Sequence, residues 1–150
     1  MDDTDRRLLR LLQRDGRMSN VDLAKQANLS QAATSERIRR LQREGVIEGY
    51  AVRLNPSLLD RALLVFVEIT LDRTSTTVFD DFAAAVRRLP EIIECHMLAG
   101  GFDYLIKVRV RDMAAYRRFL GESLVKLPGI RQTHTYTVME EVKSGSDLPI

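Results

Sequence analysis

Apolar residues in the first third of the chain recur every three or four positions, which is the spacing of amphipathic helices. The pattern predicts one helix over residues 4–13, a second capped by Ser19, and a third that begins after Ser30 and stops at Gly45. The predicted buried positions are Leu8, Leu11, Leu12, Val21, Leu23, Ala24, Ala27, Thr34, Ile38 and Leu41. Two short helices in succession, the second of them basic, predict a helix-turn-helix.

From residue 46 onward the pattern changes to that of short strands. Residues 46–56, "VIEGYAVRLNP", predict a strand-turn-strand fragment that ends in a linker. Alternating apolar residues predict strands over 63–71 and 104–110, and helical spacing predicts helices over 76–88 and 113–126. A Leu-Pro-x-Ile motif occurs twice, at 89–92 and 127–130, and each copy follows a predicted helix and leads into a further strand, the second over 130–141.

The order strand, helix, strand, strand, helix, strand is the duplicated split β-α-β pattern of a ferredoxin-like sandwich. The predicted fold class is therefore α+β, a helix-turn-helix followed by a ferredoxin-like βαββαβ domain. The predicted boundaries are 1–52 for the first domain, 53–62 for a linker and 63–150 for the second domain. Because both helices would cover one sheet face, the apolar residues on both faces of strand 63–71 predict that another subunit covers the other face.

Basic side chains cluster on the third helix. The net charge of the chain is only +2, but the basic excess lies in its first third. A buried stripe at Thr34, Ile38 and Leu41 turns a basic face to solvent, with small residues near the helix start that suit a major groove. The predicted DNA-binding residues are Ser30, Gln31, Ala32, Ala33, Ser35, Glu36, Arg37, Arg39, Arg40 and Arg43. The alternative is a solvated basic face, and the preceding helix and the cap favour DNA.

Composition and motifs exclude several classes of function. Among the 150 residues no apolar run approaches the roughly 20 that cross a bilayer, and the first residues are charged, so we expect a cytoplasmic protein without membrane association. Cys95 lies in an apolar run and is predicted to be a buried structural thiol. His96 and His134 hold equivalent places in the repeat, which favours packing over metal binding. We predict no catalytic residues, no metal and no cofactor.

Several long segments together resemble the Lrp/AsnC family of bacterial and archaeal transcription regulators. They are "DGRMSNVDLA", "SERIRRLQREGVIEGY", "LLVFVEITL", "ECHMLAGGFDYLIKVRV", "DMAAYRRFLGESLVKLPGI" and "TYTVMEEVK". The resemblance implies a winged helix-turn-helix joined to an effector-binding and oligomerisation domain, with homodimers that assemble into tetramers, octamers or larger forms. It also implies double-stranded DNA and an amino-acid effector as partners. The segment "LSQAATSERI" lacks the proline that relatives often carry after the capping serine, so the resemblance does not extend to their operator sequence.

The segment "GGFD" allows two interpretations. As structure, Gly100 and Gly101 would form a hairpin turn with positive φ. In the family that it resembles, the same turn closes on an amino-acid effector where dimers meet. The backbone N–H groups of both glycines would bind the effector carboxylate, and Asp103 its ammonium group. The other predicted contacts are hydroxyls of Thr133 and Thr135 and apolar contacts from Met97, Leu98 and Phe102.

The sequence therefore predicts a sequence-specific DNA-binding transcription regulator that responds to leucine or another small amino acid and has no catalytic activity. The effector would act by population shift, favouring one oligomer or one spacing of the DNA-binding domains. The alternative is a ferredoxin-like small-molecule enzyme or metal sensor with an accessory DNA-binding domain.

Overall fold

The computed structural model describes residues 1–73, 75–145 and 147–150, and it divides the chain into two compact units. The first consists of Met1–Arg53 together with Lys143–Ile150, and the second of Leu54–Val142. The boundaries predicted from the sequence assign residues 143–150 to the second domain, whereas the structure groups this segment with the first unit. None of the helices in the described part of the chain is long and apolar enough to cross a membrane.

The first unit contains three helices, α1 (Asp3–Arg14), α2 (Asn20–Ala27) and α3 (Gln31–Arg43). Each helix is preceded by a capping residue whose side chain accepts a hydrogen bond from a backbone N–H of the first turn. The capping residues are Asp2, Ser19 and Ser30, respectively. The core is formed by Leu8, Leu23, Ala27 and Ile38. The predicted helix-turn-helix is confirmed, but Val21 is 54% exposed rather than buried.

The predicted strand-turn-strand fragment after α3 is wrong for this chain. Residues 46–55, all of which the structure describes, form bends and irregular chain without strand pairing, and a short 3-10 helix follows at Pro56–Leu59. Val46, Tyr50, Val52 and Leu54 are all exposed. Within residues 46–55 only Ile47 is partly buried, against the core of the first unit. A hairpin that buries so few side chains is at best marginally stable, which explains the absence of the pairing.

The second unit is the predicted βαββαβ domain. Its elements are β1 (Leu63–Leu71), α4 (Val78–Val86), β2 (Ile92–Met97), β3 (Tyr104–Val110), α5 (Met113–Glu122) and β4 (Ile130–Thr137). The strands form one antiparallel sheet in the order β2-β3-β1-β4. α5 ends at Glu122 and a 3-10 helix, Leu124–Lys126, replaces its predicted last turn, while β4 ends four residues before its predicted end.

The core of this unit lies between one sheet face and the two helices. Alternate residues of β1 and β3, among them Val67 and Ile106, pack with Phe82 of α4 and Phe119 of α5. These side chains are apolar and removed from water, so their burial is the main source of stability of the unit.

The opposite sheet face is more polar than the alternation in β1 predicted. Phe66 is only partly buried there. Charged side chains of the strands and of the segment after β4 form two ion pairs, Lys107–Glu94 at 2.9 Å and Arg109–Glu141 at 2.6 Å, and a ring nitrogen of His134 lies 3.8 Å from the Glu68 carboxylate. This face therefore combines a small apolar area with ion pairs.

Gly129, at the turn into β4, adopts a left-handed conformation with φ +71. Its carbonyl accepts a 2.7 Å hydrogen bond from the N–H of Asp72, just after β1. A Cβ atom at this position would lie 2.1 Å from a methyl carbon of Val78. Only glycine satisfies both the backbone angle and this close approach.

Candidate DNA-binding helix and ligand cleft

The solvent-facing side of α3 has the residues that sequence analysis assigned to DNA. Thr34, Ile38 and Leu41 are buried as predicted. On the opposite side the exposed residues are Gln31, Ala32, Glu36, Arg39 and Arg43. Arg43 and Glu36 form an exposed pair at 3.1 Å, which contributes little to stability.

Arg37 and Arg40 belong to the flank of α3 that faces α1. Arg37 donates to the carboxylates of Asp2, at 2.7 Å, and Asp5, at 2.8 Å. Arg40 donates to the other oxygen of Asp5 at 2.6 Å. The Asp5 side chain is only 1% exposed. The two arginines therefore hold α3, the recognition helix of the helix-turn-helix, against α1 through a buried carboxylate, a role that sequence analysis did not assign to them.

The charge state of this cluster follows from its contacts. Burial alone would raise the pKa of Asp5, but the N–H of Asp2 and the guanidinium groups of Arg37 and Arg40 together lower it below the usual value. The N–H of Asp5 and the guanidinium of Arg37 lower the pKa of Asp2 to about 2. Both carboxylates are thus ionised at neutral pH and attract the arginines.

Sequence analysis missed Asp5, although a local signal was present. Asp2 and Asp5 form a reciprocal capping box at the start of α1, in which each side chain accepts the backbone N–H of the other. The capping box positions the buried carboxylate, but its cross-helix partners depend on tertiary packing. Arg39, by contrast, has no ion pair with any other residue in the described ranges, so its charge is available to a ligand.

A hydrogen bond between two helices also fixes Ser35 on α3. The side-chain amide of Asn20, at the start of α2, donates to the Ser35 hydroxyl at 2.9 Å. This bond joins the two helices of the helix-turn-helix close to the beginning of α3, where side chains would approach base edges. Asn20 is therefore a further residue that positions α3, and the sequence pattern did not reveal this role.

A cleft of about 450 Å³ opens beside the loop between β2 and β3. The residues that line it are Thr70, Leu71, Asp72, Arg73, Gly100, Gly101, Phe102, Asp103 and Arg131. Four of them were predicted effector contacts, and the rest come from the end of β1, the two residues after it and the start of β4. The pairing of Leu71 with Ile130 brings these two strand ends together, a register that the sequence alone did not fix.

The loop at the cleft is closed by backbone hydrogen bonds. The N–H of Leu98 donates to the carbonyl of Asp103, and the N–H of Asp103 donates to Ile69 of β1, both at 2.9 Å. The predicted positive φ of Gly100 and Gly101 is wrong, because neither adopts a left-handed conformation. A Cβ atom on either would meet nothing within 4 Å. What the two glycines provide is exposed backbone at the cleft.

Asp103 is the buried charge of the cleft, with an exposure of 4%. One carboxylate oxygen accepts from the N–H of Leu71 at 2.7 Å and the other from the Arg73 guanidinium at 2.5 Å. Burial alone would raise the pKa of Asp103, but the Leu71 N–H, Arg73 and Arg131 together lower it. The carboxylate thus stays ionised and links the loop to the end of β1.

The other predicted effector contacts do not line the cleft. Met97 and Leu98 are exposed at the end of β2. Thr135 shares a 2.6 Å hydrogen bond with the Tyr116 hydroxyl of α5. Thr133 pairs with Ile69 in the sheet. In the single chain the Thr135 hydroxyl is therefore engaged by α5, and neither threonine lines the cleft.

The two histidines lie on strands but do not pack in the core as predicted. His96 lies 3.3 Å from Glu94 and His134 3.8 Å from Glu68, and both imidazoles are mostly exposed. In the part of the chain that the structure describes, no group of three or more His, Cys, Asp or Glu is placed to hold a metal ion. Cys95 is half-buried, and burial raises the pKa of its thiol.

Comparison with known proteins agrees with both units. Residues 1–48 match the model described as "Winged helix-turn-helix DNA-binding", and residues 64–148 match that of the "Lrp/AsnC ligand binding domain". The leucine-responsive regulatory protein of Salmonella typhimurium is 56% identical over all 150 residues, which span 92% of that relative. The corresponding protein of Klebsiella pneumoniae is 55% identical over the same shares of the two chains.

Solved structures give the same result. A transcriptional regulator of Neisseria meningitidis, crystallised with L-Met, superimposes with a TM-score of 0.95 at 32% identity and covers 99% of this chain and 96% of its own. An AsnC family regulator of Agrobacterium tumefaciens gives a TM-score of 0.94 at 34% identity, with 99% and 97% covered.

The helix-turn-helix, the ligand cleft and these matches define a DNA-binding transcription regulator with an amino-acid effector. The chain belongs to the Lrp/AsnC family.

Proposed function

We propose that the effector is a small apolar amino acid of the leucine type and that it binds in the cleft beside the Gly100–Asp103 loop. The observation that carries this proposal is the cleft itself, which combines exposed glycine backbone with side chains of both charges and the Phe102 ring. A zwitterion needs partners of both signs, and an aliphatic side chain needs an apolar contact. The names of the relatives support leucine, and the bound L-Met of the Neisseria regulator supports a side chain of similar size.

The DNA interface in this proposal is the exposed side of α3. Residues near the helix start, from Ser30 to Ser35, lie toward base edges, while Arg39 and Arg43 contact phosphates and Glu36 lies between them. Arg37 and Arg40 support the interface indirectly, because their guanidinium groups are already engaged by Asp2 and Asp5. Residues 1–52 would form the DNA-binding domain, with 53–62 as a linker to the effector domain.

The regulator would act without catalysis, in the cytoplasm, as an assembly of dimers. The proposed dimer interface is the sheet face that the helices leave uncovered. It presents Phe66, Leu105 and Tyr136 beside ion pairs such as Lys107–Glu94. Dimers would assemble further into tetramers, octamers or larger forms. An effector that prefers one assembly shifts the population toward it and so changes how several DNA sites are bound together.

A thermal-shift screen of the twenty amino acids tests the effector proposal. A ligand that binds only the native state raises the melting temperature. At a ligand concentration of 100 times its Kd, the apparent free energy of unfolding increases by about 2.7 kcal/mol. We expect L-leucine, L-methionine or a close analogue to give the largest shift. A screen in which charged or aromatic amino acids alone respond would contradict a leucine-type effector.

A further inference from the structure

The cleft presents two cations and two anions to a ligand, but they are not equally available. Arg73 and Arg131 line it, as do Asp72 and Asp103. Asp103 is almost completely buried, and each of its oxygens already accepts a hydrogen bond. Asp72 and Arg131 are exposed, and the Arg73 side chain is 72% exposed. The groups that a ligand meets first are therefore the two guanidinium groups and Asp72.

An ammonium group could reach Asp103 only by competing with the groups that already cover its carboxylate, which is 4% exposed. The carboxylate accepts the N–H of Leu71 at the end of β1, and a buried N–H that loses its acceptor is destabilising. Its other oxygen holds Arg73, whose guanidinium has five N–H donors and uses one of them in this bond. Among the described residues no other acceptor contacts this guanidinium, so its remaining donors can bind an acceptor in the cleft.

We propose that Arg73 and Arg131 bind the carboxylate of the effector, and that Asp103 is a positioning residue that holds Arg73 in place. Guanidinium groups suit this task, because their planar donors match the two oxygens of a carboxylate. The effector ammonium then lies toward Asp72, the exposed acid of the cleft. This inference rests on the proposed function, since it assigns the charged contacts within the same site.

Calorimetric titration with L-leucine and with L-leucinamide tests the inference. The amide keeps the ammonium group and the side chain but lacks the carboxylate. For the parent protein we expect L-leucine to bind at least ten times more tightly than the amide. In Arg131→Gln and Arg73→Gln this preference should shrink several-fold, because each variant loses a carboxylate contact. The matched control is Arg118→Gln, an exposed arginine on α5 outside the cleft, which should keep the parental ratio.

Variants of Asp103 and Asp72 show whether Asp103 positions Arg73 or binds the effector directly. If Asp103 positions Arg73, Asp103→Asn should reduce the preference for L-leucine over the amide. If Asp103 instead binds the ammonium, the same variant should weaken both ligands equally and keep the ratio, which would overturn the inference. Asp72→Asn should weaken both ligands equally. Because Asp103→Asn removes a buried charge and can lose stability, Arg73→Gln, at an exposed side chain, gives the carboxylate test independently.

The outcomes also distinguish this inference from the proposed function. A parent protein that binds neither L-leucine nor any other amino acid in the screen would refute the proposed function, and the inference would fall with it. A parent that binds L-leucine while Arg73→Gln and Arg131→Gln keep the parental ratio would refute the inference alone.

Discussion

Replacing Asp5 with Asn tests whether its buried carboxylate holds the recognition helix, α3, against α1. Asp5 is the common acceptor of Arg37 and Arg40, and it links α1 to α3 at distances of 2.6 to 2.8 Å. Asparagine keeps the shape of the side chain but removes its charge, and its amide nitrogen would face a guanidinium donor. Both arginines would then lose their shared anion.

The cost can be estimated from the exposure of the partners. Removing one member of a fully buried ion pair costs about 3 to 5 kcal/mol. Here the arginine side chains are 29% and 38% exposed, so water compensates part of the loss. We expect a loss of about 2 to 3 kcal/mol in the free energy of unfolding of the first unit. For a unit of this size that lowers the melting temperature by roughly 10 to 20 °C.

Scanning calorimetry of the full chain, with helical circular dichroism as a second probe, measures this loss. The matched control is Asp3→Asn, an exposed acid in the same first turn, which should cost no more than about 1 kcal/mol through the helix dipole. A further check is the double variant with Arg40→Gln, whose loss should be less than the sum of the single losses. The reasoning is refuted if Asp5→Asn and Asp3→Asn have the same stability.

The pH dependence of the stability of the first unit tests the role of Asp5 independently. Because the pKa of Asp5 is lower in the folded chain than its ordinary 3.8, its contribution is fully present above that value and is lost as the pH falls through the folded pKa. Asp5→Asn should therefore destabilise the first unit at neutral pH, and its difference from the parent should shrink in this acidic range. A difference that grows on acidification would contradict the assignment.

Three further predictions follow from particular residues. Arg39→Gln should reduce the slope of log K for DNA against log salt by about 0.9 and leave the melting temperature unchanged, whereas Arg37→Gln should lower the melting temperature. Gly129→Ala should cost about 2 to 4 kcal/mol in urea unfolding, because it adds a clash to a left-handed φ. Gly121→Ala, whose added carbon meets nothing within 4 Å in α5, should be neutral or stabilising by up to about 1 kcal/mol, and equal effects would contradict this account. The fragment 54–142, which contains a complete core, should fold and sediment as a dimer, and a folded monomer would exclude the sheet face as the interface.

Most of the fold could be predicted because its signals are local. The caps Ser19 and Ser30 mark two helix starts, and the apolar period separates helices from strands. The strand-turn-strand prediction for residues 46–56 was wrong because their alternation is that of a strand, while strand formation needs a partner that covers its side chains. Val21 likewise has helical spacing in the sequence but lies outside the contact between helices.

The sites were only partly predictable, because their contacts join distant parts of the chain. The exposed side of α3 follows from helical periodicity, but the engagement of Arg37 depends on Asp2 and Asp5, which belong to another helix. The glycine-rich loop of the cleft is visible in the sequence. Arg73 and Arg131 become part of the cleft only through the register of β4 on β1.

The most direct test of the regulator's function is DNA binding by the full chain at increasing concentrations of L-leucine and L-methionine, with duplexes selected from a random pool. We predict that one of them changes the apparent affinity, or the number of protomers bound per duplex, by at least about fivefold, which is the lower range of allosteric coupling. The Asp103→Asn variant should bind DNA like the parent without effector and lose most of this response. DNA binding that no amino acid alters, in a protein that no amino acid stabilises, would contradict the account.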